Sequence, residues 1–196
     1  MTRIKFCGLK TLEDIFFANE LLPEYVGFVF APKSKRFVTP AQAEKLRAAL
    51  DKKISAVGVF VDEKIFVVDE LLNDGIIDAA QLHGSEDEIY IKNLRTLTNC
   101  PIIKAFKVDA ATEKSSADFI LIDGGAGDGK AFDWSLLKNF RREYFLAGGL
   151  NPENVGNAIK LLHPFAVDVS SGIETDGRKD FKKMAAFAKA VRLAVS

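Results

Sequence analysis

Short apolar runs recur along the chain at residues 4–6, 25–30, 56–61, 77–80, 102–106, 119–122, 144–147 and 165–169. Bounded by turn residues and too short for buried helices, they predict β-strands. Between them the apolar spacing turns helical. One helix is expected over 12–22 behind Thr11 as N-cap. A second opens at Thr39-Pro40, where threonine caps and proline suits the first helical position. Its apolar face is Ala41, Ala43, Leu46, Ala49 and Leu50. Further helices are predicted over 62–72 and 85–97, over a short stretch from Asp133 to Phe140, from Asn151-Pro152-Glu153-Asn154, and over 180–195. The last would turn Met184, Phe187, Ala188, Val191 and Val195 toward a core. Only residues 109–117 separate the fifth and sixth strands, enough for a short helix or a loop.

Strict alternation of strand and helix implies a parallel sheet covered by helices. Eight units point to closure, so the fold class expected is α/β, a single (β/α)8 barrel over residues 1–196. Its loops must be short, since ~250 residues is typical of such barrels, and its fifth helix weak or missing. No Gly-x-Gly-x-x-Gly follows the first strand, which argues against a dinucleotide-binding sheet.

The polar clusters follow the runs at their C-terminal ends, where a parallel barrel builds its active site. Cys7-Gly8 ends the first strand and Gln81-Leu82-His83-Gly84 the fourth. Gly148-Gly149 and Ser170-Ser171-Gly172 follow the seventh and eighth, the two loops in which barrels often hold phosphate through close backbone N–H donors. Cys7 could serve as thiolate base or nucleophile. Asp123 ends the sixth strand, where a dry barrel mouth could keep its carboxyl protonated as a general acid. The stretch from Gly124 to Lys130 would let a loop close over a ligand, with Asp128 a competing, solvated carboxyl. Arg36 offers a planar fork for a carboxylate. Asp168 is expected to point inward and orient a neighbour or the Ser170 loop. Cys100 and His163 lie at the opposite end and read as structural.

Composition narrows the classes. Lys plus Arg and Asp plus Glu number 27 each, so nothing favours nucleic acid or an anionic membrane. The basic clusters Lys33, Lys35, Arg36 and Arg178, Lys179, Lys182, Lys183 read as solvated faces. Two cysteines and two distant histidines leave no metal set, and neither a signal peptide nor a membrane span is expected. A cytoplasmic setting follows. A monomer is the default, with a homodimer as the alternative.

The motifs together resemble one family. Lys5-Phe6-Cys7-Gly8-Leu9, Val26-Gly27-Phe28-Val29-Phe30 with Ser34-Lys35-Arg36-Phe37-Val38, Val57-Gly58-Val59-Phe60-Val61, and Gln81-Leu82-His83-Gly84 come in the order seen in phosphoribosylanthranilate isomerases of tryptophan biosynthesis. So do Gly129-Lys130-Ala131-Phe132-Asp133-Trp134, Leu146-Ala147-Gly148-Gly149-Leu150-Asn151-Pro152-Glu153-Asn154-Val155, and Val167-Asp168-Val169-Ser170-Ser171-Gly172-Ile173-Glu174. The resemblance spans the whole chain. It implies an eight-stranded barrel and an Amadori rearrangement of a phosphorylated small molecule, with no metal or organic cofactor. It also implies Cys7 as general base, Asp123 as general acid, and Arg36 on the substrate carboxylate. Gln81, His83 and Asp168 would contact substrate, and Gly148, Gly149, Ser170, Ser171 and Gly172 its phosphate. The loop after Asp123 is shorter than the family's usual run, and Thr175-Asp176-Gly177 lacks its frequent proline. Two rivals stand beside this: the aminoaldose isomerase of histidine biosynthesis, which generally uses two carboxylates, and a barrel that binds phosphorylated ligands without catalysis.

Overall fold

Eight parallel strands close into a barrel in sequence order, β1 to β8, with β8 returning to β1. The computed structural model describes residues 1–124, 134–137 and 140–194. The glycine-rich stretch from Gly125 through Asp128 to Lys130, the expected cap Asp133, and Val195 lie outside the described residues.

The strands are β1 (Arg3–Cys7), β2 (Tyr25–Val29), β3 (Ser55–Phe60), β4 (Ala79–Leu82), β5 (Ile102–Lys107), β6 (Phe119–Asp123), β7 (Tyr144–Ala147) and β8 (Ala166–Val169). The helices outside them are α1 (Leu12–Leu21), α2 (Pro40–Ala49), α3 (Ile65–Asn73), α4 (Glu88–Leu97), α5 (Val155–Leu162) and α6 (Phe181–Ala194). The fifth connection holds only a 3-10 turn, Val108–Ala110, as its length requires. Among the described residues, the sixth holds a 3-10 turn at Trp134–Leu137, where the sequence predicts a short helix from Asp133 to Phe140.

Local chemistry sets the helix starts. Thr11 and Asp14 form a reciprocal capping box on α1, and Thr39 and Gln42 form another on α2 with Pro40 in the first turn. Three starts fall later than expected. Asp62 adopts φ 53°, so α3 cannot begin there. Its carboxylate instead accepts from the N–H and the hydroxyl of Ser85, both at 2.6 Å. Glu86 in turn accepts from the N–H groups of Asp62 and Gly84 and pairs with Lys104 at 3.0 Å. These bonds hold 62–64 and 85–87 as loops. Asn151 likewise closes a turn by accepting from the N–H of Glu153 and Asn154, and α5 begins at Val155. β4 begins two residues after the start of its apolar run, because Asp78 accepts from the Ala56 N–H and pairs with Arg47.

Two layers of packing follow from period-2 alternation. Outward residues such as Ile4, Phe6, Ile120 and Leu146 meet the helices, and Met184, Phe187, Ala188 and Val191 of α6 close on them. The inward residues differ from bottom to top. Tyr25, Phe119, Phe145 and Phe165 plug the N-terminal end with ring centroids 4.7–5.8 Å apart. The Arg3 guanidinium lies 4.1 Å from the Phe165 ring centroid. The upper interior is polar. After β8 the chain makes a 3-10 turn, Ser171–Ile173, then a small hairpin of β9 (Glu174–Thr175) and β10 (Arg178–Lys179). Asp176 and Gly177 take φ 51° and 74°, the pair of left-handed residues that a tight hairpin turn needs.

Candidate active site

The C-terminal mouth holds a cavity of about 190 Å³ lined by Cys7 of β1, Gln81 of β4 and Asp123 of β6. His83 lines it too, as do Gly148, Gly149, Asp168, Ser170 and Ser171. It adjoins a second cleft of about 480 Å³ above β4 and β5, and His83 and Asp123 line both. Together they reach the size of a small-molecule site, ~300 Å³ or more. Nine of the eleven residues singled out in the sequence therefore meet on one cavity. Gly172 packs against the Leu150 carbonyl behind it. Arg36 lies on a neighbouring cleft of about 360 Å³ between the first two loops and the hairpin.

Cys7 sits on the inward face because β1 alternates strictly, with Ile4 and Phe6 outward. Lys5, also inward, is fully buried one layer below and pairs with Asp168 at 3.0 Å. Lys5 and Asp168 are register partners on adjacent strands. Gly27 on β2 makes the space: a Cβ there would fall 2.8 Å from Cys7 Sγ and 3.2 Å from Lys5 Nζ. Burial opposes the charge on Lys5, but Asp168 and Cys7 outweigh it and its pKa is raised. Burial also pushes the Cys7 thiol up; Lys5 and Lys179 pull against that without cancelling it.

Asp123 faces the cavity from the end of β6. Its carboxylate lies 3.5 Å from His83 Nε2, while His83 Nδ1 is 2.9 Å from Gln81 Nε2. If the Gln81 amide donates, the ring carries its proton on Nε2 and aims it at Asp123. Gln81 Oε1 is buried without a hydrogen-bond partner, and Gln81 lines the cavity. Gly148 follows β7 at φ 92°, and a Cβ there would fall 2.4 Å from the Gly124 nitrogen and 2.8 Å from Asp123 Oδ1. The β7 loop can approach Asp123 only as glycine.

Ser170 donates to the Cys7 carbonyl at 3.0 Å, tying the β8 loop to β1. Lys179 reaches under this loop to the Ser170 carbonyl at 3.0 Å and to Glu174 at 2.7 Å. Arg36 grips the same Glu174 with Nε and Nη2, both at 2.7 Å. Burial opposes the charge on Glu174, yet Arg36 and Lys179 hold its pKa down at about 2. This corrects the solvated-face reading of the second basic cluster: Lys179 is turned inward and buried.

Sequence reasoning missed Lys5, Glu174 and Lys179. The signal for Lys5 was available: a lysine in period with Cys7 must point into a closed barrel. Glu174 and Lys179 depend on the hairpin, whose marker was Asp176-Gly177. Among the described residues, no group of three or more His, Cys, Asp or Glu is placed to hold a metal. No helix among them is long and apolar enough to cross a membrane.

Known proteins share this fold. The sequence model of the N-(5'phosphoribosyl)anthranilate (PRA) isomerase family matches residues 4–190. An N-(5'-phosphoribosyl)anthranilate isomerase of Endomicrobium trichonymphae is 46% identical over 98% of this chain and 99% of its own. The crystal structure of phosphoribosyl anthranilate isomerase from Thermotoga maritima superposes with a TM-score of 0.86 at 37% identity, covering 98% of this chain and 99% of that one. That enzyme is elsewhere described as dimeric. A phosphoribosyl anthranilate isomerase in complex with reduced 1-(o-carboxyphenylamino)-1-deoxyribulose 5-phosphate gives 0.84 at 36% identity, with 98% and 99% coverage.

Proposed function

The chain belongs to the N-(5'-phosphoribosyl)anthranilate isomerase family and is an isomerase; from that premise we propose an Amadori rearrangement driven by Cys7 and Asp123. The substrate is N-(5-phosphoribosyl)anthranilate and the product 1-(2-carboxyphenylamino)-1-deoxyribulose 5-phosphate. The observation that carries this is the shared cavity. Cys7 on β1 and Asp123 on β6 flank the β7 and β8 loops, so a phosphate held there leaves the sugar between a sulfur and a carboxyl.

Asp123, protonated, gives its proton to the ribose ring oxygen as the C1′–O bond breaks and the anthranilate nitrogen supplies the electron pair. The Cys7 thiolate then removes the C2′ proton from the resulting iminium, leaving an enolamine that tautomerises to the ketone. No atom is gained or lost overall, so one acid and one base suffice. His83, oriented by Gln81, sits beside the acid. Gln81 Oε1 accepts from a sugar hydroxyl. Gly148, Gly149, Ser170 and Ser171 bind the phosphate through backbone N–H groups and the Ser171 hydroxyl, with Gly172 shaping the turn.

Arg36 holds the anthranilate carboxylate. Glu174 occupies one edge of its guanidinium and leaves Nη1 for the ligand. Both cysteines are free, which supports the cytoplasmic setting suggested by the sequence.

The test is incubation with freshly generated phosphoribosylanthranilate, following loss of anthranilate-type fluorescence. Turnover is expected. No turnover, or equal turnover of the histidine-pathway aminoaldose, would overturn the substrate assignment.

A further inference from the structure

Lys5 has no part in the steps above, yet it is a lysine with no exposed surface, one strand step below the proposed base. A buried ammonium needs an anion. Asp168 supplies one at 3.0 Å on a single oxygen. The same ammonium lies close to the Cys7 sulfur: a Cβ at Gly27 would fall 3.2 Å from Nζ and 2.8 Å from Sγ, so both border one small space. Gly27 leaves open the space that a side chain would take from Nζ and Sγ.

We infer that Lys5 is a positioning residue for the base: its ammonium is the counter-charge of the Cys7 thiolate, and Asp168 holds that charge in place while limiting its effect. The inference rests on the reading of Cys7 as base and deepens it. Removing a proton from Cys7 turns the neutral Lys5–Asp168 pair beside a thiol into a cation between two anions. Lys5 therefore favours the thiolate and Asp168 opposes it. The other charges facing Cys7 are Lys179 of β10, beneath the Ser170 loop, and Arg36 beyond β2. Asp123 and His83 face it across the cavity.

A purely structural pair predicts that losing either partner damages the site alike. A counter-charge predicts opposite signs. The experiment is a pH titration of Cys7 in ligand-free protein by thiolate ultraviolet absorbance, with Cys7→Ser as the spectroscopic blank. Lys5→Met should lower the thiolate fraction at a given pH about tenfold or more, in keeping with an opposite charge within about 6 Å. Asp168→Asn should raise it. In the wild type and Lys5→Met, the acid limb of kcat/KM should move with the titration.

An unchanged titration in folded Lys5→Met, or an unchanged or smaller thiolate fraction in Asp168→Asn, overturns the inference. If Lys5→Met does not fold, the Asp168→Asn titration decides alone. The thiol titration needs no substrate, so absence of turnover by the wild type would refute the isomerase chemistry and leave this result standing.

Discussion

Gly27→Ala tests the placement of the base without touching its chemistry. The added methyl would lie 2.8 Å from Cys7 Sγ, 3.1 Å from Cys7 Cα and 3.2 Å from Lys5 Nζ. Favourable non-bonded contact lies at about 3.5–4.0 Å, so the sulfur must retreat by roughly 1 Å. It cannot do so cheaply. Cys7 is register partner to Gly27, and the layer below is filled by Lys5 and Asp168. Overpacking of this kind costs about 1–3 kcal/mol of stability. A displacement of about 1 Å at a reacting atom can cost on the order of 10²-fold in rate. The expected result is a folded variant with its denaturant midpoint lowered by that amount and kcat reduced about 10²-fold. Its affinity for inorganic phosphate should be near wild type, because Gly148, Gly149, Ser170 and Ser171 are untouched. Wild-type kcat with the predicted loss of stability would refute the claim that the sulfur at this position acts on substrate.

Three further outcomes are expected. Cys7→Ser and Asp123→Asn should each lower kcat by orders of magnitude while calorimetry shows a reduced product analogue still binding; full activity in either removes its assigned role. Gly148→Ala, strained by φ 92° and blocked by Gly124 and Asp123, should raise KM and lower kcat together in steady-state kinetics. Glu174 has its pKa depressed from 4.5 to about 2, so its contribution to stability is present above the unfolded value and lost as pH falls through the folded one. Glu174→Gln should therefore flatten the pH dependence of unfolding free energy in that acid window and leave it unchanged near neutrality.

The architecture was legible because a closed parallel barrel buries both faces of every strand, so apolar runs and end clusters recur with little noise. The positions of Cys7, Asp123 and the two glycine-serine loops follow from that rule alone. The cavity's lower wall was not legible. Lys5 carries a charge in an apolar strand, and only the register of β1 against β8 shows that Asp168 meets it. Arg36 reads as an open fork in sequence. In space Glu174, far along the chain, already fills one edge of it. The starts of α3 and α4 were misplaced for a similar reason: Asp62, Ser85 and Glu86 satisfy one another between loops, which no local pattern displays. Lys179 read as surface charge because a two-residue hairpin strand carries almost no periodicity.

The most direct measurement is a crystal structure of the protein with reduced 1-(2-carboxyphenylamino)-1-deoxyribulose 5-phosphate bound. The account predicts the phosphate on the backbone N–H groups of the β7 and β8 loops, C2′ in contact with Cys7 Sγ, and the Asp123 carboxyl beside the sugar oxygen it would protonate. A phosphate bound elsewhere, or a sugar that touches only one of those two side chains, would contradict it.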